Sequence, residues 1–377
     1  MDQPLDTPDA IDLRLEGISK RFGSVTALDG ASLEVRRGEL VSILGPSGCG
    51  KSTLLQLVAG HLVPDGGSIE IAGVVVADGA SGNSVPAQRR GVGMVFQDYA
   101  LFPHLTVLEN VAFGIEGAAP RRGGPVQRLR ARRATNERAE AVLEQLEIAE
   151  LAARYPSELS GGQQQRVAIA RAVAQQPRLL LLDEPFCNLD VSTRERVRGE
   201  IVSLLRRTGL TCIFVTHDQE EALAVSDRVA VMQSGRVMQV DDPETLYRRP
   251  FCLEVAEFLG RTNVLRGRAH GGHVMTEVGR FALADPTGDG DVEVIVRPEL
   301  IDVRTSATGS ATVVGREFRG HDVLYTLRMK SGETVWAHRP SIHMAAIGDR
   351  VELAAEPGPA ALVTTSSLGI NAVGAPT

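Results

Sequence analysis

Residues 45–52 read Gly45-Pro46-Ser47-Gly48-Cys49-Gly50-Lys51-Ser52, directly after the apolar run 40–44 and directly before a helix-compatible run, 53–59. The spacing is G-x-x-x-x-G-K-S, and its flanks make it strand, loop and helix in that order. Each residue type has a physical reason. Gly45, Gly48 and Gly50 carry no Cβ, so consecutive backbone N–H groups can face an anion at close range. The helix that opens near Lys51 points its positive end at the same place. Lys51 brings an ammonium to the β- and γ-phosphates of ATP. Ser52 offers a hydroxyl to Mg2+, and Thr53 stands on the α-phosphate side.

Three further strand ends carry polar residues suited to the same chemistry. The run 179–182 is four leucines, a fully buried strand of a parallel sheet, and it ends in Asp183-Glu184-Pro185. A carboxylate at the end of a buried strand is costly unless it is bound, so Asp183 is assigned to the Mg2+ shell. Glu184 is the candidate general base for the attacking water. Gln97 ends the strand 93–96 in Val-Phe-Gln-Asp, where an amide can accept from a metal-bound water and donate to the lytic one. His217 ends another strand in Val-Thr-His-Asp and can reach the γ-phosphate. Taken alone, residues such as Gln97 and His217 are more often strand-end polar residues of no catalytic role.

The 377-residue length allows two domains, each with a core, and 43% apolar with 23% charged residues is ordinary for a soluble chain. No stretch approaches the roughly 20 apolar residues of a spanning helix, and residues 1–10 are acidic and polar rather than a secretory signal. A cytoplasmic location follows, with membrane association only through a partner. The net charge of −7 weighs against nucleic acid as a partner. A local basic run, Arg121, Arg122, Arg128, Arg130, Arg132 and Arg133, reads as a solvated face or as a contact with anionic headgroups or a partner. Cys49, Cys187, Cys212 and Cys252 have no C-x-x-C spacing, which disfavours zinc. Cys212 reads as core. Cys49 and Cys187 read as small inert side chains or as a redox switch.

Along the chain, antiparallel strands are expected at 11–17 and 31–36, a strand pair at 68–76, and helices at 138–153, 163–174, 191–207 and 219–225. The helical stretch inserted between strands of the α/β core runs over about 98–176. Residues 228–232 and 236–240 read as a hairpin around Ser234-Gly235. Beyond about residue 259, short alternating runs at 292–296, 311–316, 323–329, 334–338 and 350–353 read as a small all-β barrel.

The segment Leu159-Ser160-Gly161-Gly162-Gln163, taken in order with the phosphate loop, Gln97, Asp183-Glu184 and His217, resembles the ATPase subunits of ABC transporters over about residues 13–240. The resemblance implies an α/β P-loop nucleotide-binding domain over 1–240, with a helical subdomain at about 98–176. A linker at 241–260 and an OB-like β domain at 261–377 would follow. It implies ATP and Mg2+ as cofactors, with Ser52, Gln97 and Asp183 on the metal. Residues Gly45 through Thr53 would hold the phosphates and Phe22 would stack on adenine. Ser160, Gly161, Gly162 and Gln163 would bind the γ-phosphate of the ATP held by a second copy, in a head-to-tail dimer. Asp190, in Asn188-Leu189-Asp190, would cross that interface, and Cys187 stands where serine or alanine is usual.

Tyr99, Leu101, Phe102 and Pro103 would form a groove for a short helix of a transmembrane permease subunit, or pack within the helical stretch itself, different faces being open to each. That places the protein on the cytoplasmic face of the membrane, peripherally, and indirectly beside an extracytoplasmic solute-binding protein. Val296-Arg297-Pro298-Glu299 and Phe318-Arg319-Gly320-His321-Asp322 resemble the transport-associated module of importer ATPases. Ferric iron or polyamine is the leading solute expectation, with sulfate, phosphonate or sugar as alternatives. A non-transport ABC ATPase acting on nucleic acid or ribosome would need long coiled coils or a second phosphate loop, and this chain has neither. His321-Asp322 reads as part of a metal site or as a solvated turn.

Overall fold

The structure, a computed structural model, describes residues 10–116, 125–187, 191–285, 287–342 and 344–363. Asn188, Leu189, Asp190, Arg121 and Arg122 lie outside the described residues, as does the side chain of Arg128. The chain divides into two units, Met1–Pro243 and Glu244–Thr377.

The first unit begins with β1 (Ile11–Phe22), β2 (Val25–Arg36), β3 (Leu40–Leu44) and α1 (Lys51–Ala59). There follow β4 (Gly66–Ile71), β5 (Val74–Asp78), β6 (Asn83–Ser84) and β7 (Val92–Val95). The helical stretch holds α2 (Val107–Glu116), α3 (Pro125–Gln145) and α4 (Gly161–Val173). The chain returns to the sheet through β8 (Leu179–Asp183), α5 (Val191–Thr208), β9 (Thr211–Thr216), α6 (Gln219–Val225), β10 (Arg228–Gln233) and β11 (Arg236–Asp241). One sheet has the order β2-β1-β4-β5-β6 and the other β11-β10-β3-β9-β8-β7. In the second sheet β10, β3, β9, β8 and β7 are mutually parallel.

The uninterrupted leucines of β8 have a direct cause. Leu180 and Leu182 face a core built with the helical stretch and α5, whereas Leu179 and Leu181 face a core shared with β1, β2 and α1. Successive side chains point to opposite faces, so a strand covered on both sides must be apolar at every position.

The helix expected at 138–153 is corrected: α3 runs Pro125–Gln145. Glu147 takes φ 55, and the Ile148 N–H returns to the Leu143 carbonyl at 2.9 Å. That is a Schellman closure made without glycine. A 3-10 turn at Ala149–Leu151 follows. The apolar periodicity continued past the helix end because Leu146 and Ile148 are buried in the same core as Leu143.

In the second unit, α7 (Pro243–Arg248) and α8 (Leu253–Phe258) precede β12 (Asn263–His270), β13 (His273–Thr276), β14 (Arg280–Leu283) and β15 (Gly290–Val296). Next come β16 (Ile301–Thr305), β17 (Ala311–Phe318), β18 (Asp322–Arg328), β19 (Thr334–Pro340), β20 (Arg350–Ala355) and β21 (Pro359–Leu362). A closed barrel forms in the order β12-β13-β14-β21-β15, and a five-stranded sheet in the order β16-β20-β17-β18-β19. The barrel is therefore present, but four of the five alternating runs belong to the second sheet. The barrel strands β13, β14 and β21 have 4 residues each, too few to display alternation. Arg297 is buried, donates to the carbonyls of Ala256 (2.9 Å) and Tyr247 (3.1 Å), and lies over the Tyr247 ring. It ties α7 and α8 to the end of β15.

Candidate functional site

Strands β3, β9, β8 and β7 are sheet neighbours about 4.8 Å apart, and being parallel they end on one edge. The chain leaves β3 into the loop 45–50. A Cβ on Gly45 would lie 2.2 Å from the Met232 carbonyl oxygen, and one on Gly50 2.4 Å from that of Ala27. Gly50 also has φ 107, so no L side chain fits there. The Gly235 N–H donates to the Cys49 carbonyl at 3.0 Å, so the β10–β11 turn braces the loop. Gly50 supplies no side-chain cap to α1, and the first turn of α1 has no acid. The leading N–H groups of the helix therefore present positive potential without a carboxylate to offset it. Lys51 is buried, and its Nζ donates to the carbonyls of Gly45 (2.6 Å) and Pro46 (3.0 Å). Its ammonium is thus held against the loop itself. Pro46, Ser47 and Gly48 are exposed, Cys49 is buried and Thr53 is half-buried.

The Ser52 hydroxyl donates to Asp183 Oδ1 at 3.4 Å. A hydroxyl and a carboxylate side by side are hard oxygen donors, the set that suits Mg2+. Burial, and next the charge of Glu184, push the Asp183 carboxyl above the usual carboxylate range. Glu184 takes φ 44, a left-handed conformation held by its N–H donating to Val215 O at 3.0 Å. Such strain on a glutamate persists only where neighbours over-determine it. Glu184 Oε1 and His217 Nδ1 are 3.0 Å apart. His217 follows β9, and Asp218 next to it caps α6 by accepting from the Glu221 N–H at 3.1 Å. Gln97, two residues past β7, hydrogen-bonds the Cys187 thiol.

Cys187, to which sequence reading assigned no contact, is thus a neighbour of both Gln97 and Glu184. Burial and the charges of Glu184 and Glu221 raise its thiol pKa, and the Gln97 amide acts the other way. A raised thiol is a poor nucleophile at neutral pH, which favours the inert reading over the redox one. Only the fold, which brings β7 beside β8, reveals this contact.

Phe22 ends β1 and is 46% exposed, leaving its ring open to a flat partner. Lys20 is beside it, 5.7 Å from the ring centroid and paired with Asp65 at 2.8 Å.

Ser160 caps α4. Its Oγ accepts from the Gln163 N–H at 3.4 Å, and its own N–H donates to Gln163 Oε1 at 2.9 Å. A Cβ on Gly162 would meet Val197 of α5 at 3.0 Å. Arg166 on α4 pairs with Glu200 on α5, which also accepts from Arg196 at 2.9 Å. The fold therefore gathers Lys51, Ser52, Asp183, Glu184 and His217, with Gln97 alongside. The reciprocal hydrogen bonds of Ser160 and Gln163, by contrast, stay within their own helix start.

Of the four groove candidates, Tyr99 takes the internal-packing alternative. It is 4% exposed with φ 61, its ring lies in the core of the helical stretch, and burial pushes its phenol up to about 12. A second aromatic, Phe113, replaces it at the surface. Phe113 is 52% exposed and its ring centroid is 4.5 Å from that of Phe102. Arg171 stands over Phe102 at 5.5 Å and donates to Ala100 O at 2.6 Å, which fixes the ring.

Two family models match this chain: ABC transporter over residues 28–187, and TOBE domain over residues 294–363. An Fe(3+) ions import ATP-binding protein, FbpC 2 of Rhodococcus jostii, is 43% identical over 349 residues, 90% of this chain and 95% of that protein. A spermidine/putrescine import ATP-binding protein, PotA of Rubrobacter xylanophilus, is 42% identical over 93% of this chain and 90% of its own length. Among solved structures, a dimeric ATP-binding cassette, MJ0796, in a post-hydrolysis state with ADP and Pi superposes with a TM-score of 0.50. It is 32% identical and covers 61% of this chain and 98% of its own.

Proposed function

Because the chain belongs to the ABC transporter ATP-binding proteins, we propose that it hydrolyses ATP as a head-to-tail dimer and so drives a permease that imports a solute, ferric iron first and polyamine second. One observation carries the dimer. The residues at the strand edge hold one another, whereas the side chains of Ser160 and Gln163 cap their own helix start, one suited to a γ-phosphate. A second copy supplies that helix start to the strand edge of the first. The dimeric relative that holds ADP and Pi supports the same reading.

In this reading the loop N–H groups and Lys51 bind the β- and γ-phosphates. Glu184 accepts the proton of the attacking water, and the 3.0 Å contact with His217 fixes the direction of its carboxylate. Mg2+ suits Ser52, Asp183 and Gln97, and when bound it neutralises phosphate charge. Phe22 stacks on the adenine. Loss of the γ-phosphate removes the ligand that both copies share, and the dimer opens.

The solute assignment rests on the relatives, whose names specify Fe(3+) and spermidine/putrescine. The ATPase unit does not touch the solute. Leu101, Phe102, Pro103 and Phe113 are the proposed contact with the permease, on the cytoplasmic face of the membrane. Among the described residues no helix is long and apolar enough to cross one. Import also calls for an extracytoplasmic solute-binding protein. Uptake of labelled ferric iron, spermidine and sulfate by a strain lacking this gene, restored by wild type or by Lys51→Ala, tests the proposal. Loss confined to ferric iron, rescued by wild type and not by the variant, is expected. Undiminished uptake of ferric iron and polyamine would overturn it.

A further inference from the structure

The strand end that carries Phe22 is held from two sides. Lys20 lies opposite Leu28 and Arg21 opposite Thr26, which leaves Ala27 of β2 as the extra residue of a β-bulge. The Ala27 carbonyl packs on the phosphate loop, where Gly50 has no room for a Cβ. That contact seats the β2 side of the hairpin. Asp65, between α1 and β4, holds the β1 side. Its Oδ1 accepts from Lys20 Nζ at 2.8 Å, its Oδ2 accepts from the Arg21 N–H at 2.7 Å, and its own N–H donates to Ser19 O at 2.9 Å. One aspartate thus fastens three consecutive residues immediately before Phe22. Lys20 Nζ also donates to Val63 O at 2.7 Å.

An ion pair with a half-exposed carboxylate adds little to stability by itself, so what this one supplies is geometry. Lys20 Nζ stands over one face of the Phe22 ring, 5.7 Å from its centroid. That face is taken, and the other is left for a flat partner. We propose that Asp65, acting through Lys20 and the Arg21 backbone, is a positioning residue for the nucleotide: it keeps the Phe22 ring at a fixed spacing from the phosphate loop and reserves one ring face for the base. The inference rests on the reading that Phe22 stacks on adenine. ATP joins base and phosphates at a set span, so the stack and the phosphate contacts form together only when ring and loop keep that spacing. Fixing it in advance removes an ordering cost from binding.

The test is calorimetric titration of Mg-ADP, and separately of tripolyphosphate, which has no base, into the full-length protein. Wild type is compared with Asp65→Ala, Lys20→Met, Phe22→Ala and the double variant Phe22→Ala/Asp65→Ala. Phe22→Ala is expected to weaken Mg-ADP about five- to tenfold, and Asp65→Ala and Lys20→Met each about threefold, with tripolyphosphate bound equally by all. The double variant should bind Mg-ADP no more weakly than Phe22→Ala, because without the ring there is nothing to position. Wild-type affinity for Mg-ADP in Asp65→Ala, beside a weakened Phe22→Ala, would overturn the positioning role and leave the stacking reading intact. An equal loss of tripolyphosphate affinity in Asp65→Ala, or a further loss in the double variant, would overturn it too, since the aspartate would then only support the fold. Unchanged Mg-ADP affinity in Phe22→Ala would remove the stacking reading and the inference with it.

Discussion

Replacing Glu184 with glutamine removes a charge and a proton acceptor while keeping the shape. The amide still reaches His217 across the 3.0 Å gap, so the His217 ring keeps its place. The loss is therefore chemical. A positioned general base contributes about 10²–10⁴ in rate, equivalent to about 3–5 kcal/mol of barrier. A second effect follows from the structure. The charge of Glu184 is the second-largest cause that raises the Asp183 carboxyl. Without it Asp183 ionises at lower pH, so the acid limb of Mg-ATP binding moves to lower pH in the variant. Turnover should fall by two to four orders of magnitude, with nucleotide affinity kept or increased. Sedimentation with Mg-ATP should show a stable dimer. Near wild-type turnover, or a variant that stays monomeric with bound ATP, would refute the assignment of Glu184 as base.

Gly50→Ala forces a Cβ to 2.4 Å from a backbone oxygen at φ 107, so about 2–4 kcal/mol of stability and roughly 5–15 °C of melting temperature should be lost. Differential scanning calorimetry checks this. Asp183 has a folded pKa above its unfolded value, so its ionisation costs stability in full above the raised pKa, and the cost fades as pH falls through it. Asp183→Asn should therefore melt higher than wild type without nucleotide at about pH 8, with the gap narrowing toward acid, and it should not hydrolyse ATP. Phe102→Asp, at a ring paired with exposed Phe113, should leave ATPase in solution within about twofold and abolish uptake in cells. Unimpaired uptake would remove the groove from the account.

The cluster of Lys51, Ser52, Asp183, Glu184 and His217 was legible because its signals are local. A loop with glycines at fixed spacing after a buried strand, and a buried strand that ends in a carboxylate, each mark a strand end in the sequence itself. Contacts made across strands were not legible. Gln97 and Cys187 are 90 residues apart in the chain and meet only because β7 pairs with β8. Tyr99 lies among apolar neighbours that read as a surface groove, but its left-handed backbone turns the ring inward. The end of α3 was obscured because the residues after it stay apolar for a tertiary reason. In the second unit, four-residue strands leave no period to read, so the barrel and the second sheet appeared as one.

The central claim is that cleavage of ATP takes place in a cleft shared by two copies. Turnover per chain, measured with saturating Mg-ATP across a dilution series, tests it most directly. The account predicts a rate per chain that rises in proportion to protein concentration while monomers predominate, then levels off. A rate per chain that is constant down to the most dilute, fully monomeric sample would contradict it.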